Sequence, residues 1–212
     1  MKLVDLNLIE FNNEIDSSSP APGGGSVSAL AAGMGVSLSR MVGHLTVGKK
    51  KFKTLSENNQ NKFNSILDEF LLIKEELLPL VDKDTVAFNL IMAAYKLPKE
   101  TPGEKQIRKL RISEGTIEAI KIPYIVARLS IRALRHMEFL LKYSNKNTIS
   151  DIGVSTLMLY AGLEGAILNV KINISGLTNQ HMFEQYSTSA SRMLEEAKGI
   201  KDIILEEIHN LL

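Results

Sequence analysis

Periodicity constrains this chain more than any other feature. Apolar residues recur at helical spacing along nearly all of its 212 residues, and no segment alternates apolar and polar for long. Phe63, Ile66, Leu67, Phe70, Ile73 and Leu77 show the pattern. Offsets of three and four place such residues on one stripe of an α-helix. No long internal repeat and no low-complexity tract interrupts it. The sequence therefore predicts an all-α fold, a single multihelical domain of long packed helices spanning 1–212. Small residues crowd the predicted helix SVSALAAGMGVSLSRMVGH, from Ser26 to about His44. They predict close backbone approach, within the chain or between subunits.

Local signals divide the helices. Asn7 and Glu10 have capping-box spacing. Ser56 can cap a helix that Pro79 should kink or end, with the pattern resuming up to Pro98. A helix from Glu104, interrupted at Pro123, should reach about Tyr143. Ser150 and Asp151 should open one that runs to about Ile174. The tail from Met182 to Leu212 is helical with a weak point at Gly199.

Charge and cysteine content exclude several function classes. Lys and Arg number 25 against 24 Asp and Glu, so there is no global field to recruit nucleic acid or an anionic membrane. The chain has no cysteine, hence no disulfide, thiolate nucleophile or cysteine metal site. That composition suits a reducing, cytoplasmic setting. Acids interrupt MKLVDLNLIEF where a leader needs an apolar run, so export is not expected. Val27 to Leu45 is the best membrane-span candidate, but it contains Arg40 and His44 and reads as a buried helix.

Several motifs carry chemistry. SPAPGGGSVSAL, Ser19 to Leu30, runs two prolines and three glycines into a helix start. It is not a Walker loop and no strand precedes it. Pro22, Gly23, Gly24, Gly25 and Ser26 read either as a tight packing loop or as an anion-accepting helix N-terminus. Lys49, Lys50 and Lys51 form either a solvated turn or a mount for a polyanionic tail. Asp82 and Asp84 lie ~200° apart around a helix, so they cannot share one small site. Asp84 shares a face with Phe88, Ile91 and Tyr95, as a helix-start cap or as a functional carboxylate of raised pKa. Asp151 and Asn169 lie on one stripe but ~27 Å apart, too far for one reactive centre within a subunit. Asn169 and Asn173, four apart, can cooperate, or can form a buried amide pair. The histidines show no metal-ligand spacing; His44, beside the lysine cluster, is the one to watch.

The segments SPAPGGGSVSAL, LTVGKKKF, DKDTVAF with AAYKLPK, and SDIGV with GAILNVKINI resemble the formiminotetrahydrofolate cyclodeaminases and the related methenyltetrahydrofolate cyclohydrolases. The resemblance covers nearly the whole chain. The same unit forms the C-terminal domain of the bifunctional formiminotransferase-cyclodeaminases. His44 departs from the pattern, since the family usually carries Asn before Leu-Thr-x-Gly. The resemblance implies an all-α homodimer acting on reduced folate, with or without a polyglutamate tail, using neither metal nor prosthetic group. A separate formiminotransferase would supply the formimino group. Cyclodeamination is the first expectation, methenyl hydrolysis the second, and a non-catalytic helical scaffold the third. Asp84, Asp82 and Asp151 are the catalytic candidates; Asp84 is expected to move protons or stabilise the cation, with Asp82 more dispensable. Asn169 and Asn173 would hold pterin or substrate nitrogens, the glycine loop would pack on the folate, and His44 and Lys49–Lys51 would flank it.

Overall fold

Residues 2–212 are described by a computed structural model, and every long element among them is an α-helix. The order is α1 (Leu8–Ile15), α2 (Gly24–His44), α3 (Lys50–Lys53), α4 (Glu57–Tyr95), α5 (Pro102–Leu134), α6 (Met137–Tyr143), α7 (Ile149–Ile174) and α8 (Gln180–Leu211). Short 3₁₀ turns occupy Leu3–Asp5 and Lys146–Thr148.

The helix starts follow capping chemistry. The Asn7 side chain accepts from the Ile9 and Glu10 amides, and the Glu10 carboxylate accepts from the Asn7 amide. The Ser56 hydroxyl caps α4 by accepting from the Asn59 amide. Thr101 and Glu104 form a second capping box, so α5 begins at Pro102, two residues before the expected Glu104. At α7 the expectation needs correction. Its N-cap is Thr148, with no side-chain cap, and Asp151 lies within the first turn.

The prolines also differ from expectation. Pro79 neither ends nor divides α4. A proline frees the carbonyl four residues back. Pro79 is exposed, so water can reach its neighbourhood, while Leu77, Leu80 and Val81 stay buried and hold the helix on the core. Pro123 is likewise enclosed within α5. The break falls instead after Leu134, where α6 starts anew at Met137. Gly199 does not interrupt α8; a Cβ there would meet nothing within 4 Å.

Helix α2 is the centre of the bundle. It packs against α7 on one side and α4 on another, while α5 bridges α4 and α7 and α8 covers α7. Gly24 lies by Asn169 and Gly35 by Leu159, so α2 and α7 run antiparallel. Their backbones nearly touch. A Cβ on Gly162 would sit 2.8 Å from the Ala32 nitrogen and 2.8 Å from the Ser28 carbonyl oxygen. The Ser155 hydroxyl donates to the Gly35 carbonyl at 2.8 Å and meets the Ser39 hydroxyl, both fully buried. The small residues legible in the sequence therefore serve a seam within the chain.

This seam makes a stability prediction. Gly162→Val forces two backbones apart and should cost at least ~1–3 kcal/mol, as overpacked cores do. Gly199→Ala, in open space within a helix, should gain ~0.5–1 kcal/mol. Urea denaturation of the two variants measures both.

Candidate functional site

The site forms where the start of α2 meets α4, α5 and the end of α7. Gly23, Gly24 and Gly25 make one wall of a cavity of about 250 Å³, with Pro20 and Ala21 at its rim. Asp84, Phe88 and Ile91 of α4 make a second wall. Ala119 of α5 and Asn169, Ile172 and Asn173 of α7 complete it.

Asp84 is placed by an absent side chain. A Cβ on Gly25 would fall within 2.5 Å of the Asp84 carboxyl carbon and both its oxygens. Only glycine lets the carboxylate lie against the first turn of α2. That turn has no side-chain cap, because its N-cap is Gly23. Asp84 thus stands at the positive end of the helix dipole, near amides that lack intrahelical partners. The Ser26 hydroxyl is fully buried, donates to the Val81 carbonyl at 2.7 Å and lies 3.4 Å from Asp84 Oδ2. Burial pushes the Asp84 carboxyl above its ordinary range, and the amide and hydroxyl of Ser26 oppose that rise.

The two asparagines are each held by one hydrogen bond. Asn169 Nδ2 donates to the Gly165 carbonyl at 2.8 Å, and Asn173 Nδ2 donates to the Ala119 carbonyl at 2.9 Å. Each amide thus gives one N–H to backbone and keeps a second N–H and its carbonyl oxygen, to donate and to accept. A Cβ on Gly24 would lie 3.2 Å from Asn169 Nδ2, so the glycine loop and α7 meet here too.

Other residues marked in the sequence lie elsewhere. Asp82 Oδ1 accepts from the Leu3 amide and ties the N-terminal turn to α4. Pro22 is buried beneath the loop, and Ser26 positions Asp84 without reaching the cavity wall. His44 lies ~30 Å along α2 from Gly24, in a cleft with Ser37, Arg40 and Lys74. Lys49 and Lys51 border a different cleft with Tyr143 and Asn145, and Lys50 is exposed. Asp151 sits at that same distant end, at the start of α7. Tyr95 is exposed beyond the site, with the Arg108 guanidinium 5.5 Å from its ring. The sequence reading missed Ala119 and Ile172. Ile172 follows Asn169 by three and could have been found on its face; nothing local marks Ala119.

A profile of the formiminotransferase-cyclodeaminase family matches residues 7–192. The chain belongs to this family. It is 33% identical to the methenyltetrahydrofolate cyclohydrolase of Methylorubrum extorquens, over 93% of each chain. It is also 33% identical to the formimidoyltransferase-cyclodeaminase of Rattus norvegicus, over 96% of this chain but 37% of that longer one. The crystal structure of formiminotetrahydrofolate cyclodeaminase from Thermotoga maritima superposes with a TM-score of 0.76 at 26% identity, covering 98% of this chain and 96% of that one. The resemblance drawn from the four sequence segments and the fold class both stand.

For this family member the raised Asp84 carboxyl has a pH signature. The folded state keeps its proton where the unfolded chain has lost it. Stability should therefore fall as pH rises from ~4, the ordinary Asp value, through the raised value. Asp84→Asn should remove that slope and equal or exceed the parent in stability at neutral pH. Denaturation midpoints across pH 4–8 measure it.

Proposed function

We propose that the protein is a formiminotetrahydrofolate cyclodeaminase, converting 5-formiminotetrahydrofolate to 5,10-methenyltetrahydrofolate and ammonia. One observation carries this reading. The cavity offers the Asp84 carboxylate as an acceptor and the Asn169 and Asn173 amides as acceptors or donors, and among the described residues no basic side chain lines it. That wall suits a ligand rich in N–H groups whose reacting carbon is cationic. A protonated formimino carbon and the methenyl bridge both fit, and a pterin ring supplies the N–H donors. Phe88, Ile91 and Ile172 give the flat ring apolar walls.

The chemistry follows from this placement. Folate N10 attacks the formimino carbon and forms a tetrahedral intermediate. Asp84 takes the N10 proton, which a carboxylate of raised pKa can return to the departing nitrogen. Ammonia leaves, and the methenyl cation remains beside the ionised carboxylate. Ser26 and Gly25 hold Asp84, while Asn169 and Asn173 hold the ring. Carboxylate and amides suffice, so the reading calls for no prosthetic group. A separate formiminotransferase supplies the substrate.

Hydrolysis of the methenyl bridge to 10-formyltetrahydrofolate is the second reading, favoured by the Methylorubrum relative of equal extent. It uses the same cation and carboxylate, with water as nucleophile.

Turnover on 5-formimino- and 5,10-methenyltetrahydrofolate, measured side by side, decides between them. Ammonia release from the first is expected; turnover of the second alone would replace the first reading. Asp84→Asn should lower kcat by ~10²–10⁴-fold with little change in folate affinity. Asp82→Asn, whose carboxylate serves the N-terminal turn, should cost far less. Gly25→Ala should match Asp84→Asn in kcat while keeping the helical circular dichroism spectrum.

A further inference from the structure

Ser26 has more acceptors within reach than one hydroxyl can serve. It is fully buried, and three oxygens surround its Oγ: the Val81 carbonyl at 2.7 Å, Thr85 Oγ1 at 3.2 Å and Asp84 Oδ2 at 3.4 Å. A serine hydroxyl carries one hydrogen and accepts two. The Val81 carbonyl can only accept, and so can an ionised Asp84, so the Ser26 hydrogen serves one of them at a time. The shorter contact, to Val81, is the better bond as the side chains stand. With the Ser26 hydrogen spent on either, the remaining contact needs the threonine hydrogen. Thr85 Oγ1 therefore donates to Ser26 Oγ.

Two complete arrangements follow, one for each charge state of the acid. When Asp84 is neutral, its O–H donates to the second lone pair of Ser26, and the Ser26 hydrogen stays on Val81. When Asp84 is ionised, the Ser26 hydrogen turns to Oδ2, and the charge draws that contact shorter. Val81 is not orphaned by the turn. It lies inside α4, where its carbonyl also accepts the amide four residues on, that of Thr85. Every polar group is paired in both arrangements, as a buried site requires. The change is a rotation about the Ser26 Cβ–Oγ bond. Other charges do not intrude. Around the cavity α2 presents glycine, α5 Ala119, and α7 the amides of Asn169 and Asn173. On α4, Asp82 is turned to the Leu3 amide and Lys83 to a separate cleft beside Lys2. Glu118 of α5 is paired with Lys121 in another cleft.

We propose that Thr85 is a positioning residue of this site: its hydroxyl occupies one lone pair of Ser26, so that the single Ser26 hydrogen turns between the Val81 carbonyl and Asp84 as the acid gains and loses its proton. Neither Thr85 nor Ser26 lines the cavity, so both act through Asp84. A hydroxyl that accepts a hydrogen bond becomes the stronger donor. Thr85 thereby strengthens the bond from Ser26 to the ionised carboxylate, and it does so without water or a second titrating group. The carboxylate is supported when it stands ready to take a proton, and the acid is supported when it stands ready to return one. The catalytic meaning rests on the reading of Asp84 as the carrier of the N10 proton; the hydroxyl switch does not.

The test titrates Asp84 directly, by carboxyl ¹³C NMR of the full chain labelled at aspartate, with no folate present. The Asp84 signal is the one that Asp84→Asn removes. Thr85→Val deletes the hydroxyl at nearly constant shape and should move the midpoint upward, because the ionised acid loses support. Thr85→Ser keeps the hydroxyl and should restore the parental midpoint. Ser26→Ala should also move it upward, since the bond to the ionised form is the stronger one. Adding Thr85→Val to Ser26→Ala should then change nothing further, because Thr85 acts only through Ser26. An unmoved midpoint in Thr85→Val, a serine variant that behaves like the valine one, or an undiminished valine effect beside Ser26→Ala each overturns the proposal. In turnover, Thr85→Val should lower kcat by about 2–10-fold, the worth of one neutral hydrogen bond. The acid limb of its kcat profile should move to higher pH while KM stays parental. A lower kcat with an unmoved limb marks a structural role and overturns the proposal as well. Should the parent turn over neither folate, the proposed activity fails, and the NMR titration still decides the switch.

Discussion

The near-contact of α2 and α7 governs the rest of this structure. Helices usually pack 8–10 Å apart through interdigitating side chains. Here Gly35 and Gly162 remove those side chains, and Ala32, Ser28 and Ser155 fill what remains with backbone and hydroxyls. The pair is stiff because few rotatable atoms lie between its backbones. It lets the first turn of α2 and the last turns of α7 form two sides of one small cavity. A looser pair would separate Gly24 from Asn169 and open the site to water.

A second constraint acts at the start of α2. Helix α4 crosses the glycine-rich start of α2 and sets the Asp84 carboxylate in space that a Cβ would fill. Desolvation there makes the acid weaker, while the Ser26 amide and hydroxyl limit the effect. Function is thus drawn from balance. The same helix end that stabilises a carboxylate sits where burial destabilises one, and the proton is held by the difference.

Much of this was legible in the residues. Helical spacing without alternation gives the fold class, and Asn7, Ser56 and Glu104 mark their helix starts through short-range capping. Asp84 separates from Asp82 by simple angular arithmetic, and α4 turns one to the cavity and the other to Leu3. Prolines misled, because the penalty for Pro79 and Pro123 is local while the packing that overrides it is not. Ala119 was invisible for the same reason: it matters through the Asn173 amide across a helix interface. Lys49–Lys51 and His44 were read as neighbours of the site, and along α2 they are not. Sequence proximity to a family motif says nothing about which end of a long helix a residue occupies.

Gly25 also limits how such a site could diversify. A wall defined by a missing methyl cannot be varied in steps, since the smallest substitution displaces the acid. Ala119 and Ile172, on the opposite walls, are free of that bond to the chemistry. Ile172 is largely exposed, and Ala119 is already small. Changes in ligand shape would accumulate there first, leaving the acid and its helix end untouched. The cavity is therefore rigid on one side and evolvable on the other, and its history should be written on α5 and α7.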